Sequence, residues 1–125
     1  GAINDFERRL TETGTTVIKC MLHISKEEQR DRLLARLENP KKTWKFKPED
    51  VDERGRWDEY QAAYETALER CSTDWAPWYV VPSDHKWYRT LAIASLLDDA
   101  LAAMNLSWPD PDFDIEEQKH RLGAS

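Results

Sequence analysis

The chain of 125 residues has only two cysteines and no long hydrophobic run. No stretch approaches the roughly 20 apolar residues that a membrane helix needs, so the sequence predicts no contact with a membrane. Cys20 and Cys71 stand far apart and can form neither a disulfide framework nor a zinc site alone. With a charged opening, GAINDFERRL, that lacks a secretory pattern, these features predict a cytoplasmic protein.

Glycine is also scarce, and this bears on phosphate binding. None of the four glycines belongs to a G-x-x-x-x-G-K loop, the motif whose backbone cradles phosphates in many nucleotide-binding proteins. No spacing of histidine, cysteine or carboxylate residues indicates a metal site. The chain is therefore expected to hold neither a phosphate loop of this kind nor metal ligands of its own.

Two apolar runs predict β-strands, at residues 16–24 (TVIKCMLHI) and 77–82 (PWYVVP). Both are expected to be buried on both faces, which is typical of parallel sheets. Helices are predicted between and around the strands. The first covers residues 3–12, and the second runs from a capping box at Ser25 to about Leu37. One long helix is predicted from Glu49 to Cys71, with Trp57, Tyr60 and Tyr64 in the core, and a last helix is predicted to be capped by Ser83 or Asp84.

The order of these elements predicts an α/β fold that is rich in helices, with about two parallel strands. Two parallel strands make a poor sheet, because both faces and both edges need cover. The sequence therefore predicts part of a larger domain, over residues 1–107, followed by an acidic surface tail at 108–125. Open strand edges also predict a homo-oligomer, or pairing with a missing part of the domain.

Charge is segregated along the chain. Residues 26–47, the basic island, carry a net charge of +4, whereas the whole chain carries −6. Such a patch attracts polyanions, and Arg32 and Arg36 project from one helical face at i, i+4 spacing. The alternative is a solvated loop whose arginines pair with Glu28 and Asp31. The sequence pI of about 5.1 argues against nucleic acid as the polyanion.

Several segments closely resemble the C-terminal half of the polyphosphate kinase 2 family: LHISKEEQ, WKFKPED, WDEYQAAYE and APWYVVPSDHKWYR, within roughly residues 3–106. The resemblance implies a three-layer P-loop kinase fold like that of thymidylate kinase. It implies transfer of phosphate between inorganic polyphosphate and nucleotides (ADP/ATP or AMP/GDP), with Mg²⁺. The phosphate loop and magnesium aspartates of the family lie in its N-terminal half, so this chain is expected to be a fragment that is inactive alone.

The resemblance also assigns candidate site residues. It places a lid at about residues 36–56 and implies three groups: catalytic Arg32 and Arg36, polyphosphate-binding Lys42, Lys45 and Lys47, and nucleotide-binding Asp84 and Lys86. In related kinases, lid arginines stabilise the charge that develops on the transferred phosphoryl group. The alternative function is a non-catalytic module that binds polyanions or partners through the same basic island.

Overall fold

The computed structural model describes residues 1–125, which form six α-helices and two β-strands. In chain order the elements are α1 (Ala2–Glu12), β1 (Lys19–His23), α2 (Lys26–Glu38), a short 3-10 turn (Thr43–Lys45), α3 (Glu49–Gly55), α4 (Trp57–Cys71), β2 (Trp78–Pro82), α5 (Lys86–Ala103) and α6 (Ile115–Ala124). No helix combines the length and the hydropathy that a bilayer-spanning segment requires.

The two strands pair in parallel, as predicted, with a register from Lys19 opposite Trp78 to His23 opposite Pro82. The expectation that both faces are buried is wrong: the side chains of Leu22 and Val80 are 45% and 54% exposed. The helices of this chain leave much of both strands uncovered, and a two-stranded sheet with so little cover builds only a small core. Only two apolar residues, Ala76 and Val81, are fully buried.

A buried ion pair fixes β1 among its neighbours. Lys19 Nζ lies 2.7 Å from Glu7 Oε2 of α1 and donates to the carbonyl of Cys71, at the end of α4, at 2.6 Å. The ammonium also lies 5.1 Å from the ring centroid of Trp78 on β2. One lysine therefore connects four elements, and its buried charge is compensated by a carboxylate, a carbonyl and an aromatic face.

The helix at the end of β1 begins as predicted, but the helix after β2 does not. Ser25 Oγ accepts a hydrogen bond from the Glu28 N–H at 3.1 Å, which confirms the cap of α2. The predicted cap of α5 by Ser83 or Asp84 is wrong, because His85 is the N-cap and forms no side-chain cap. Both expected caps are engaged elsewhere: Ser83 Oγ donates to the Val81 carbonyl and Asp84 accepts from Ser25.

The single helix predicted over residues 49–71 is interrupted. Arg56, with φ −94° and ψ 21°, lies between α3 and α4 and follows Gly55, a poor helix former. The Arg56 guanidinium lies 3.9 Å from Glu53 and 3.0 Å from Glu59, so it pairs with a carboxylate on each side of the break. α3, before the break, contacts the first turn of α2 through Arg54.

The acidic segment at residues 108–125 contains a helix that the sequence analysis leaves unassigned. Asp114 Oδ1 accepts a hydrogen bond from the Glu117 N–H at 3.0 Å and caps α6. The aromatic side chains of this segment, Trp108 and Phe113, are exposed. α6 is thus a surface helix with a local start signal.

Candidate functional site

A cleft of about 540 Å³ opens beside the carboxyl end of β1. Its walls come from the end of β1, from α2 and from the pair α3 and α4. The lining residues are Met21, Leu22, His23, Ile24, Gln29, Arg32, Leu33, Arg36, Asp50, Glu53, Arg54, Trp57, Tyr60, Gln61 and Tyr64. Clefts at the carboxyl ends of parallel strands are where α/β folds bind ligands.

The carboxyl ends of the two strands are joined by a strand-end network of Ser25, Glu28, Arg32, Ser83 and Asp84. Asp84 Oδ1 accepts from the Ser25 N–H at 2.7 Å, so the loop after β2 holds the start of α2. Arg32 Nη2 donates to the carbonyls of Ser83 and Asp84 at 2.6 and 3.1 Å. These bonds fix one end of the cleft.

The two residues proposed from the sequence to contact nucleotide therefore differ in their surroundings. The hydrogen bond from the Ser25 backbone, followed by one from its side chain, lowers the pKa of Asp84 below its ordinary value. Lys86, in contrast, is an exposed residue at the first position of α5 with no ion pair. Asp84 orders the backbone around the strand ends, and Lys86 leaves its ammonium in solvent.

The two candidate arginines also differ. Arg32 Nε forms a 2.7 Å ion pair with Glu28, which matches the alternative derived from the sequence, and Nη2 is occupied by the carbonyls after β2. Its Nη1 donates no hydrogen bond within the chain. Arg36, one turn further along α2, lines the same cleft and has no carboxylate partner. The i, i+4 spacing thus places one tethered and one unpaired guanidinium on the same wall.

The lysines of the predicted lid lie on an exposed, ordered turn. Lys42, Lys45 and Lys47 are exposed, and none forms an ion pair with a carboxylate. The turn itself is held locally: Asn39 Oδ1 accepts from the Lys41 N–H at 3.0 Å, and Trp44 Nε1 donates to the Lys41 carbonyl at 3.1 Å. Basic groups are therefore presented to solvent from a backbone that hydrogen bonds organise.

Further hydrogen bonds, from residues outside the candidate set, hold the far end of the predicted lid in place. Arg54 Nη1 of α3 donates to the Lys26 carbonyl and, at 3.1 Å, to Gln29 Oε1, which ties α3 to the first turn of α2. Asp50 Oδ2 accepts from the Lys47 N–H at 3.1 Å. The partners of Arg54 lie far from it in sequence, Lys26 by 28 positions and Gln29 by 25 positions, so no local pattern could have indicated this contact.

An aromatic wall completes the cleft. Tyr60 and Tyr64 of α4 lie 6.2 Å apart between ring centroids and are 38% and 41% exposed, so their prediction as core residues is wrong. The Tyr60 hydroxyl donates to the Glu53 carboxylate. That hydrogen bond, assisted by burial and by the negative charge of Glu53, raises the pKa of Tyr60.

The residues of this chain do not fit a bound magnesium ion. No three histidine, cysteine, aspartate or glutamate side chains lie close enough together to hold a metal. The two carboxylates in the cleft are already engaged, Asp50 by a backbone N–H and Glu53 by a tyrosine hydroxyl. No chemical step at this site is therefore assigned to a metal held by this chain.

Comparison with known proteins assigns the family. The sequence profile described as "Polyphosphate kinase 2" matches residues 1–109. The chain belongs to the polyphosphate kinase 2 family. A crystal structure of polyphosphate kinase 2 from Arthrobacter aurescens TC1 is 52% identical and superposes with a TM-score of 0.94 over 99% of this chain, which confirms the expected α/β fold.

Curated relatives agree with this assignment. The AMP/ADP-polyphosphate phosphotransferase of Meiothermus ruber is 47% identical over 110 residues, which make up 88% of this chain and 41% of that protein. An "Uncharacterized protein in chlN 3'region" of Leptolyngbya boryana is 45% identical, with 79% of its length covered. The chain thus spans about two-fifths of the M. ruber protein and 44% of the A. aurescens structure.

Proposed function

We propose that this chain forms the lid-bearing part of a phosphotransferase that moves phosphate between inorganic polyphosphate and nucleoside mono- or diphosphates. Membership of the family and the names of its relatives support the reaction class. The site residues of this chain contribute by binding and orienting the phosphate polymer. Catalysis in such transfers rests largely on positioning and on neutralising charge.

The uncompensated positive charge of Arg36 and of the turn that follows α2 is the observation that carries this proposal. Arg36, Lys42, Lys45 and Lys47 lie within twelve residues of one another and none has a carboxylate partner, although acidic residues outnumber basic ones in the whole chain. If carboxylates of this chain were paired with these groups, their charge would be neutralised and would not be available to a ligand. Their availability suits a polyanion with regularly spaced charges, for which lysines supply point charges and arginine supplies a fork.

Within this proposal the two arginines have separate tasks. Arg36 binds the phosphate that is being transferred, because its guanidinium lines the cleft and is unpaired. Arg32 contacts phosphate only through Nη1, while its other nitrogens hold the strand-end network. Asp84 and Lys86 then border the nucleotide, Asp84 by ordering the loop after β2 and Lys86 by its free ammonium.

Other features of the whole protein complete the proposal. Mg²⁺ is required for turnover, with its ligands supplied by residues outside this chain, as is the phosphate-cradling loop. We expect a cytoplasmic homo-oligomer without affinity for nucleic acid, and the exposed apolar side chains Trp87, Leu91 and Leu101 of α5 support self-association. This chain alone is expected to show no phosphotransferase activity.

Isothermal titration calorimetry with long-chain polyphosphate tests the proposed binding directly. Single-stranded DNA of matched total charge serves as the competing polyanion at each salt concentration. We expect tighter binding of polyphosphate, with an affinity that falls steeply as salt rises. Equal binding of both polymers would favour the alternative of a general polyanion-binding module, and no binding of either would contradict the proposal.

A further inference from the structure

His23, the last residue of β1, combines a fixed backbone with a side chain that has no partner. Its carbonyl accepts a hydrogen bond from the Ser83 N–H at 2.7 Å, which holds the residue at the carboxyl end of the sheet. The imidazole is exposed, lines the cleft, and forms no hydrogen bond or ion pair within the chain. A histidine in this position is available to a ligand, because α/β folds bind their ligands at this end of the strands.

The face of β1 that carries His23 is turned toward α4. Side chains four residues apart in a strand share a face, so His23 and Lys19 point to the same side, roughly 13 Å apart along the strand. Lys19 donates to the carbonyl of Cys71, where α4 ends, whereas Tyr64 lies in the cleft at the other end of β1, so the helix runs antiparallel to the strand. About nine helical residues span this distance. His23 therefore faces the turn of α4 that contains Gln61 and Tyr64, which also line the cleft.

The charged and titratable groups around this imidazole come from three helices and from the loop after β2. They are Glu28, Arg32 and Arg36 of α2, Asp50, Glu53 and Arg54 of α3, Tyr60 and Tyr64 of α4, and Asp84 and His85 after β2. Each of the four carboxylates already accepts a hydrogen bond or forms an ion pair with another group of the chain. No carboxylate is therefore left to pair with His23, and the cation that shares the cleft without a partner is Arg36.

We infer that the His23 imidazole is a phosphate ligand of the cleft and takes up a proton when polyphosphate binds. This inference rests on the proposed function, because it adds one residue to the binding of the same polymer. A polyanion in the cleft favours the charged form of the ring, and the imidazolium donates an N–H to a phosphate oxygen in a charge-assisted hydrogen bond. The proton comes from solvent, and no covalent bond forms or breaks. Imidazole changes its charge between about pH 5 and pH 8, so this contact makes the binding depend on pH, which lysine and arginine contacts do not.

Isothermal titration calorimetry in buffers that differ in ionisation enthalpy measures both the affinity and the number of protons taken up. The unmodified chain is titrated with long-chain polyphosphate, whose internal phosphates keep their charge over the pH range used. We expect net proton uptake, and an affinity that rises about fivefold from about pH 7.5 to pH 6. In His23→Gln, which keeps a polar side chain but cannot take up the proton, the rise should be less than about twofold and most of the proton uptake should be lost. Circular dichroism confirms that the variant is folded.

The other two of the three histidines provide matched controls. His85→Gln changes an exposed histidine near the same strand ends, and His120→Gln changes one on α6; both variants should keep the proton uptake and the pH dependence of the unmodified chain. His23→Lys places a permanent positive charge at the site, so it should bind polyphosphate without the pH dependence and without loss of affinity. Nuclear magnetic resonance of the unmodified chain gives a reading that needs no variant: the His23 ring signals should move toward those of the charged form when polyphosphate is added.

Three results would overturn the inference, and they separate it from the proposed function. If polyphosphate binds but proton uptake is equal in the unmodified chain and in His23→Gln, the histidine is not a phosphate ligand and the proposed function stands. Loss of the uptake in His85→Gln instead would assign the proton to the loop after β2. If polyphosphate does not bind at any pH, the proposed function fails and the inference fails with it.

Discussion

Removal of the Glu7 carboxylate, which pairs with Lys19, should destabilise the fold far more than removal of a carboxylate from an exposed ion pair. The Lys19 and Glu7 side chains are 9% and 13% exposed, and their charged atoms lie 2.7 Å apart. Glu7→Ala leaves a buried ammonium that retains only the Cys71 carbonyl and the Trp78 ring. Breaking a buried pair in this way costs about 3–5 kcal/mol, and the two remaining partners place the expected loss near the lower limit, at about 3 kcal/mol.

Urea denaturation followed by circular dichroism measures this loss, and thermal melting provides a second reading. For a domain of this length, 1 kcal/mol corresponds to roughly 4 °C, so Glu7→Ala should lower the melting temperature by about 12 °C. Asp5→Ala is the matched control on the same helix, because the exposed Asp5–Arg8 pair at 3.7 Å contributes about 0.5 kcal/mol or less.

The double variant Glu7→Ala, Lys19→Met separates charge from packing. Replacement of a buried pair by apolar residues is often neutral, so the second substitution should restore most of the lost stability. If Glu7→Ala falls within 1 kcal/mol of Asp5→Ala, or if Lys19→Met adds to the loss, the ion pair does not fix β1 as described.

Three further variants test the surroundings of the cleft. The pKa of Asp84 is lowered in the folded chain, so its ionised carboxylate stabilises the fold above the pKa of the unfolded state, and this stabilisation is lost as pH falls through the folded pKa. The difference in urea midpoint between the wild type and Asp84→Asn should therefore shrink below about pH 4. A difference that stays constant with pH would show that the carboxylate does not stabilise the fold. The raised pKa of Tyr60 means that its contribution to stability is lost as pH rises above about 10. In an ultraviolet absorbance titration, Tyr60→Phe should remove the phenol that ionises at the highest pH. An unchanged titration would refute this assignment. Arg54→Ala should lower the free energy of unfolding by about 2 kcal/mol, because it leaves the Lys26 carbonyl and Gln29 without their charged donor. Arg9→Ala on α1, the control, should be nearly neutral. Equal losses in the two variants would show that Arg54 does not tether α3.

Local sequence signals account for much of the backbone. The β-branched run around Cys20 and the apolar run before Pro82 predict two parallel strands, and Ser25 followed by Glu28 predicts the start of α2. These signals lie within a few residues of the feature they determine. The break at Arg56 is not apparent from the sequence, because residues 49–56 contain a single apolar residue, Val51, and give no period that could show where one helix ends. The ion pairs that stabilise the turn form only once both helices exist.

The candidate site depends more on the fold than on local pattern. The sequence indicates a basic island, and the structure shows that its lysines are unpaired. The long-range partners of Asp84 and Arg32 could not be anticipated, because Asp84 bonds to Ser25, 59 positions earlier, and Arg32 to the Ser83 carbonyl 51 positions later. These contacts, together with the local ion pair to Glu28, occupy Arg32 and leave Arg36 as the unpaired guanidinium of α2 that lines the cleft.

The salt dependence of polyphosphate binding, measured with the lid lysines removed, tests the central claim most directly. The triple variant Lys42→Gln, Lys45→Gln, Lys47→Gln is compared by calorimetry with a control of equal charge change away from the lid, Arg9→Gln, Lys119→Gln, Arg121→Gln. By comparison with single-stranded nucleic acids, where each neutralised phosphate adds about 0.7 to the slope of log affinity against log salt, the lid variant should lower that slope by about 2 and the control should leave it unchanged. Equal slopes for both variants would contradict the assignment of the lid as the polyphosphate-binding surface.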